Sequence, residues 1–191
     1  MLRTSILIFA LAGNALAQAT APADQRTVAS GAQKSNQPTP KLLSAAQPSS
    51  TEDSAAESEL LALANQSRQQ AGMPPLRMNE NLIEAARAHA RLMVEQRQLS
   101  HQFDGEASLL KRLHGTGVPL NSVAENVAYN ASAEKAFDSF MHSPPHRSNL
   151  LDPDFNAVGF AAFWSEGRLY VVQDFVHQLP EITPVSASHK Q

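Results

Sequence analysis

The stretch Phe155-Asn156-Ala157-Val158-Gly159-Phe160-Ala161-Ala162-Phe163-Trp164-Ser165-Glu166-Gly167-Arg168-Leu169-Tyr170-Val171-Val172-Gln173-Asp174-Phe175-Val176 decides the fold class. Its two arms, Phe155 to Trp164 and Leu169 to Val176, are rich in the aromatic and β-branched residues that suit a pleated surface. Between them Ser165-Glu166-Gly167-Arg168 is a glycine-containing connection of hairpin length. An antiparallel hairpin therefore closes the domain, and Asp152-Pro153-Asp154 marks its entry. Immediately upstream lies Met141-His142-Ser143-Pro144-Pro145-His146-Arg147-Ser148-Asn149-Leu150-Leu151, where titratable side chains sit on a backbone that cannot be regular. Pro144 lacks an N–H, and each proline pushes its predecessor toward an extended conformation, so a helix ending near Met141 stops before His146. The expectation is that His146 sits on a turn. A second helical turn, His146 to Leu151, then leaves it near a helix N-terminus, where unpaired donors suit a ligand.

Further out the period is helical. Ser132 to Met141 carries Ala133, Ala136, Phe137 and Phe140 on one face. Before it, Ala124 to Tyr129 is a short segment in which Glu125 and Asn126 interrupt apolar residues. Ala107 to Leu113 has room for one short helix before Gly115 and Gly117 break the chain. Glu80 to Gln96 repeats Leu82, Ala86, His89, Ala90, Met93 and Val94 at helical spacing behind the capping residue Asn79. His89 lies on that apolar stripe and reads as a satisfied interior histidine. Pro74-Pro75 forces a turn, and Glu57 to Gln70 is an amphipathic helix with Ser54 before it and Gly72 as its stop. Helices followed by strands point to an α+β domain with helices packed on a small sheet.

Composition limits the partners. With 15 basic against 18 acidic residues the net charge is −3, which supplies no field for nucleic acid or an anionic membrane. Met1 to Ala17 combines Arg3, the apolar run Ile6 to Leu11 and Ala15-Leu16-Ala17, the pattern of a secretory signal too short to span a bilayer. A secreted or periplasmic location follows, without a membrane span. The chain has no cysteine, so stability must come from packing rather than disulfides. From Gln18 to Ser54 the Ala, Thr, Pro, Ser and Gln composition predicts a disordered leader, and Pro180 to Gln191 a flexible tail. One domain remains, residues 55–179.

Three groups stand outside the periodic patterns: His101 and His146 on loops, and Glu125 between them. A carboxylate flanked by alanine and valine needs a specific partner if buried. Two imidazoles and a carboxylate suit a divalent transition ion, most simply zinc with an open fourth position. A nucleophile reading would set Ser143 or Ser148 beside His146 with Glu125 orienting the imidazole, but no glycine-flanked serine elbow is present. General acid/base work by Glu125 and a histidine lacks a second carboxylate in any obvious pairing. Asn65-Gln66-Ser67 and Asn130-Ala131-Ser132 fit the glycosylation pattern and read as chance matches.

Laid out this way, the domain resembles the CAP superfamily, also called SCP or PR-1-like, in its exported bacterial type. The resemblance runs from about Leu60 to Val176. It rests on Asn65, Arg68, Gly72, Pro75-Leu76 and Asn79, on the Leu82 to Met93 ladder with His89, on Ser100-His101 and Ala124-Glu125-Asn126. Ser143 to Leu150, Phe155, Val158-Gly159 and Val172-Gln173-Asp174-Phe175 complete it. The resemblance implies an α-β-α sandwich, with helices on both faces of a small antiparallel sheet. It also implies a cleft tetrad of two histidines and two acids proposed to hold a divalent cation. His101, Glu125 and His146 match three of those positions, and Ser143 stands where the fourth, a glutamate, is expected. Members of the family are credited with sterol or lipid binding, occasional proteolysis and signalling, and fold alone licenses none of these. The expected function is non-enzymatic binding of a small apolar or envelope-derived ligand at a metal-holding His/Glu/His cleft. The alternatives are a metal-assisted peptide or ester hydrolase, and a purely structural hydrogen-bond network.

Overall fold

The computed structural model describes residues 49–180. The signal-like segment, most of the leader and nearly all of the tail lie outside the described residues. The elements in chain order are β1 (Thr51–Glu52), α1 (Ser54–Gln70), β2 (Arg77–Met78), α2 (Glu80–Gln96), α3 (Leu109–His114), β3 (Leu120–Asn130), α4 (Ala133–His142), α5 (Pro144–Leu150), β4 (Ala157–Ser165) and β5 (Arg168–Gln178). The sheet order is β1-β4-β5-β3, with β2 added beside β4. All pairings are antiparallel except the two-residue β2–β4 contact.

Alternation along the strands sorts the side chains between two cores. Val158, Phe160 and Ala162 of β4, with Leu169, Val171 and Phe175 of β5, pack under α1, α4 and α5. Ala161 and Phe163, with Tyr170 and Val172, pack under α2, and Ala157 and Val176 continue that face beneath α3. Helices thus cover both faces, giving the α-β-α sandwich. Double coverage also explains why the β4 and β5 sequences are almost continuously apolar. The hairpin turns at Glu166 (φ 50°) and Gly167 (φ 74°), the two positive-φ positions that a tight two-residue connection demands.

Two expectations shift. The ordered domain begins earlier than residue 55. Thr51 and Glu52 pair with Trp164 and Phe163, and Asp53 caps α1 by accepting from the Ala56 N–H at 2.9 Å. Edge pairing through the backbone leaves no mark on a Ser- and Thr-rich sequence. In addition, His146 is not on a turn, because Pro144 opens α5 and His146 lies inside its first turn. Proline suits that first position, where its missing N–H would have had no intrahelical partner. Ser143 alone makes the break, ending α4 and preceding α5 in an extended conformation (φ −96°, ψ 113°), as a residue before proline should.

Polar side chains tie the layers. Arg87 on α2 reaches Glu57 on α1 at 2.6 Å and Glu52 on β1 at 3.0 Å, bracing both helices over the β4 edge. Arg68 of α1 is fully buried and donates to the carbonyls of Pro74, Leu150, Asp152 and Phe155 at 2.7–3.0 Å. It therefore fastens the end of α5 and the approach to β4 at a helix C-terminus, where a cation is favoured.

Candidate functional site

The segment expected to be short around Glu125 is an edge strand of 11 residues. Along β3 the side chains alternate, so the neighbours Glu125 and Asn126 point to opposite faces of the sheet, and each meets one expected site residue there.

On the α2–α3 face, Glu125 is buried, with only 1% of its side chain exposed. His101 Nδ1 donates to its Oε1 at 2.8 Å, and Arg112 of α3 donates to its Oε2 at 2.7 Å. Burial pushes the Glu125 carboxyl up, but the His101 hydrogen bond and the charges of Arg112 and His89 outweigh it and hold the group below its usual range. Burial likewise pulls Arg112 down, and the Glu125 carboxylate, by its charge and its hydrogen bond, leads the effects that more than offset this. With Nδ1 committed to Glu125, the free nitrogen of His101 is Nε2, on a side chain that is 39% exposed.

On the opposite face, Asn126 is fully buried and donates to the backbone carbonyl of His146 at 3.1 Å. The His146 ring packs edge-on against Phe140, 5.3 Å between centroids. Burial first, and electrostatic interaction with His101 second, lower its proton affinity. His101 and His146 thus reach the free edge of β3 through the adjacent residues Glu125 and Asn126, one from a loop on one face and the other from a helix on the opposite face. Sequence reasoning selected the two histidines and Glu125, and the fold brings all three to one edge.

Four further residues belong to this cluster. His89 is fully buried, its Nδ1 at 2.7 Å from Glu106 Oε1 and its Nε2 at 2.8 Å from the Ser100 carbonyl, so it is the satisfied interior histidine expected. Its ring also comes within 3.7 Å of Glu125 Oε2. Glu106 further accepts from the Phe103 N–H at 3.0 Å, shaping the loop that carries His101. Arg112 had no signal beyond its place in a short helix. Asp174 supplies the second carboxyl that seemed missing, lying directly opposite Glu125 in the β3–β5 register. Both Asp174 oxygens are buried without a donor. Burial first and the neighbouring Glu125 charge second push its carboxyl well above the usual range, which favours the protonated acid, a form able to donate toward Glu125. Its signal was faint: one acid in an apolar strand.

Two open hollows, of about 580 and 630 Å³, lie at the α4–α5 elbow beside Met141, Arg147 and Leu151 and beyond β2 beside Arg77 and His177. Neither is lined by His101, Glu125 or His146. Among the described residues no three histidine, aspartate or glutamate side chains converge as a metal site requires. Ser143 and Ser148 make no hydrogen bond to an imidazole, and Glu125 orients His101 rather than His146, so the serine arrangement considered from sequence is not assembled.

The cysteine-rich secretory protein family, CAP, matches residues 61–175, the whole span from α1 to β5 that carries the cluster. The chain belongs to the CAP family. An uncharacterized protein of Bacillus subtilis, YkwD, is 34% identical over 154 residues, which make up 80% of this chain and 58% of that one. The chain thus spans little more than half the length of that relative. Among solved structures, an extracellular SCP-domain protein of Bacillus anthracis is 23% identical, with a TM-score of 0.60 over 66% of this chain and 41% of that one. An outer surface protein of Borrelia burgdorferi is 17% identical, with a TM-score of 0.64 over 69% of this chain and 99% of that one. At these identities the two structures speak for the fold alone. This CAP domain has no cysteine, and its sandwich stands on packing and on clamps such as Arg68.

Proposed function

We propose that this CAP protein is an exported, non-enzymatic binding module whose site is the imidazole pair His101 and His146, with a divalent transition-metal ion able to join the two. The observation that carries the reading is the 2.8 Å hydrogen bond from His101 Nδ1 to the buried Glu125. It fixes the tautomer, aims the Nε2 lone pair outward and makes Glu125 the outer-shell carboxylate of a carboxylate–histidine–metal arrangement. Beside it, His146 favours its neutral, ligating form. The donor set fits two protein ligands rather than three, because both Glu125 oxygens already serve His101 and Arg112. The remaining positions would fall to water or to a polar group of a small envelope-derived ligand, with the α4–α5 hollow large enough to take an apolar portion. The pattern of Met1 to Ala17 supports export. The test is calorimetric titration of zinc, and separately of copper, into the chelator-stripped full chain at neutral pH. Stoichiometric binding abolished in both His101→Ala and His146→Ala is the expected outcome. Binding indifferent to both changes removes the reading.

One observation favours hydrolysis as a second reading: Glu125 and Asp174 form a buried carboxyl pair directly behind His101. On that reading Glu125→Gln abolishes turnover of a peptide or ester substrate while the fold persists, and unchanged turnover eliminates it.

A further inference from the structure

We infer that Asn126 is the positioning residue for His146, acting from one face of β3 as Glu125 acts for His101 from the other. The inference rests on the reading of the two imidazoles as one site. α5 has only seven residues and buries only Leu150. A helix that short has little stability of its own, and one buried side chain cannot fix both its position and its rotation. Polar ties supply the rest, and they converge on Asn126. Its Nδ2 donates to the His146 carbonyl at 3.1 Å and to Gln173 Oε1 at 3.0 Å, while its Oδ1 accepts from Asn149 Nδ2 at 2.8 Å. His146 and Asn149 lie one turn apart on α5, so a single buried amide holds the helix at two points. Asn149 Nδ2 also reaches toward the Glu125 carbonyl at 3.5 Å, which brings the strand backbone into the same tie.

The chemistry of the side chain is narrow. Asn126 uses both amide hydrogens and its carbonyl oxygen, each on a different partner, whereas aspartate offers no donor and leucine neither donor nor acceptor. Because Glu125 and Asn126 are adjacent in the chain, one peptide unit links the anchor of His101 to the anchor of His146. Sheet geometry thereby sets the spacing of the imidazoles, as a site held by rigid elements requires.

The experiment uses the full chain, with Asn126→Ala, Asn149→Ala and the control Val171→Ala, which opens the same buried layer two residues along β5 and makes no hydrogen bond to Asn126. Nuclear magnetic resonance follows two signals: the contact between the His146 and Phe140 rings, and the hydrogen exchange of the α5 amides of Arg147 and Leu151. The expected result is that Asn126→Ala loses the ring contact and the amide protection, Asn149→Ala diminishes both and Val171→Ala preserves both. Zinc affinity, where the parent binds zinc, falls about 10- to 100-fold in Asn126→Ala, as for other outer-shell partners. Undiminished contact and protection in Asn126→Ala, or equal loss in Val171→Ala, overturns the inference. Should Asn126→Ala fail to fold, undiminished signals in Asn149→Ala overturn it instead. A parent that binds neither zinc nor copper removes the metal reading, while the ring contact and the α5 amides still decide the role of Asn126.

Discussion

Glu125 carries most of the electrostatic weight of the cluster, because one buried carboxylate answers His101, Arg112 and, at longer range, His89. In Glu125→Gln the amide retains one acceptor oxygen for two donors, and Arg112 loses its closest countercharge. Stability measured by chemical denaturation should fall by about 3–5 kcal/mol, the range for breaking a buried ion pair from one side. Asp174 behaves oppositely. Its carboxyl keeps its proton to higher pH in the folded protein than in the unfolded chain, so folding takes up a proton as pH rises past the ordinary carboxylate range, and this group costs stability there. Asp174→Asn removes that cost. The variant should gain on the parent as pH rises above about 4, by up to about 1.4 kcal/mol per pH unit until the folded group titrates. Denaturation of both proteins between pH 4 and 8 checks this, and a difference that does not change with pH would mean that Asp174 ionises freely.

The elements are seated by close approaches that single atoms can spoil. Gly159 of β4 faces the first turn of α2. A Cβ there would overlap the backbone of Leu82 and lie 2.6 Å from the Ile83 nitrogen. Gly159→Ala should therefore lower stability by at least the 1–3 kcal/mol, approximately, of ordinary overpacking, since backbone cannot move aside as a side chain can. A smaller loss in thermal or urea unfolding would show that α2 rides loosely on the sheet. Arg68 acts by the reverse principle, filling the space between α1, α5 and β4 and satisfying four carbonyls. In Arg68→Met the volume is largely kept but the acceptors are left dry, at about 1–3 kcal/mol for each carbonyl that finds no water. Arg68→Lys, with a point charge in place of the planar fork, should recover only part of the loss.

At the scale of the molecule, the shifts of Glu125 and His146 share a sign. Both groups have folded proton affinities below their unfolded values, so each contributes stability in its deprotonated form and loses it on acidification. His146 acts first, as pH falls below about 6.5, and Glu125 follows below the ordinary carboxylate range near 4. Because Asp174 acts in the opposite direction above about pH 4, the His146 stage is read as a difference: His146→Ala should lose less stability than the parent as pH falls from about 7 to 4, while the loss below about 4 remains in both. Unfolding midpoints of both proteins across pH 3 to 7 test this, and a difference between them that stays constant from pH 7 to 4 would contradict it.

Much of this protein was written locally. The apolar period of Glu80 to Gln96 matched α2 residue for residue, since Asn79 caps it and a buried stripe fixes its face. The closing hairpin was equally plain from Glu166-Gly167 and two β-rich arms. His101, Glu125 and His146 stood out because each broke its local pattern. The tertiary structure decided what those patterns do not encode. It extended Ala124–Tyr129 into a full edge strand, made Pro144 the first residue of α5 and recruited Thr51–Glu52 to the sheet, because pairing partners far along the chain supply the hydrogen bonds. It also chose Arg112 and Asp174 as the company of Glu125. Strand alternation dictates which face a side chain takes, but only the β3–β5 register and the docking of α3 determine what it meets there.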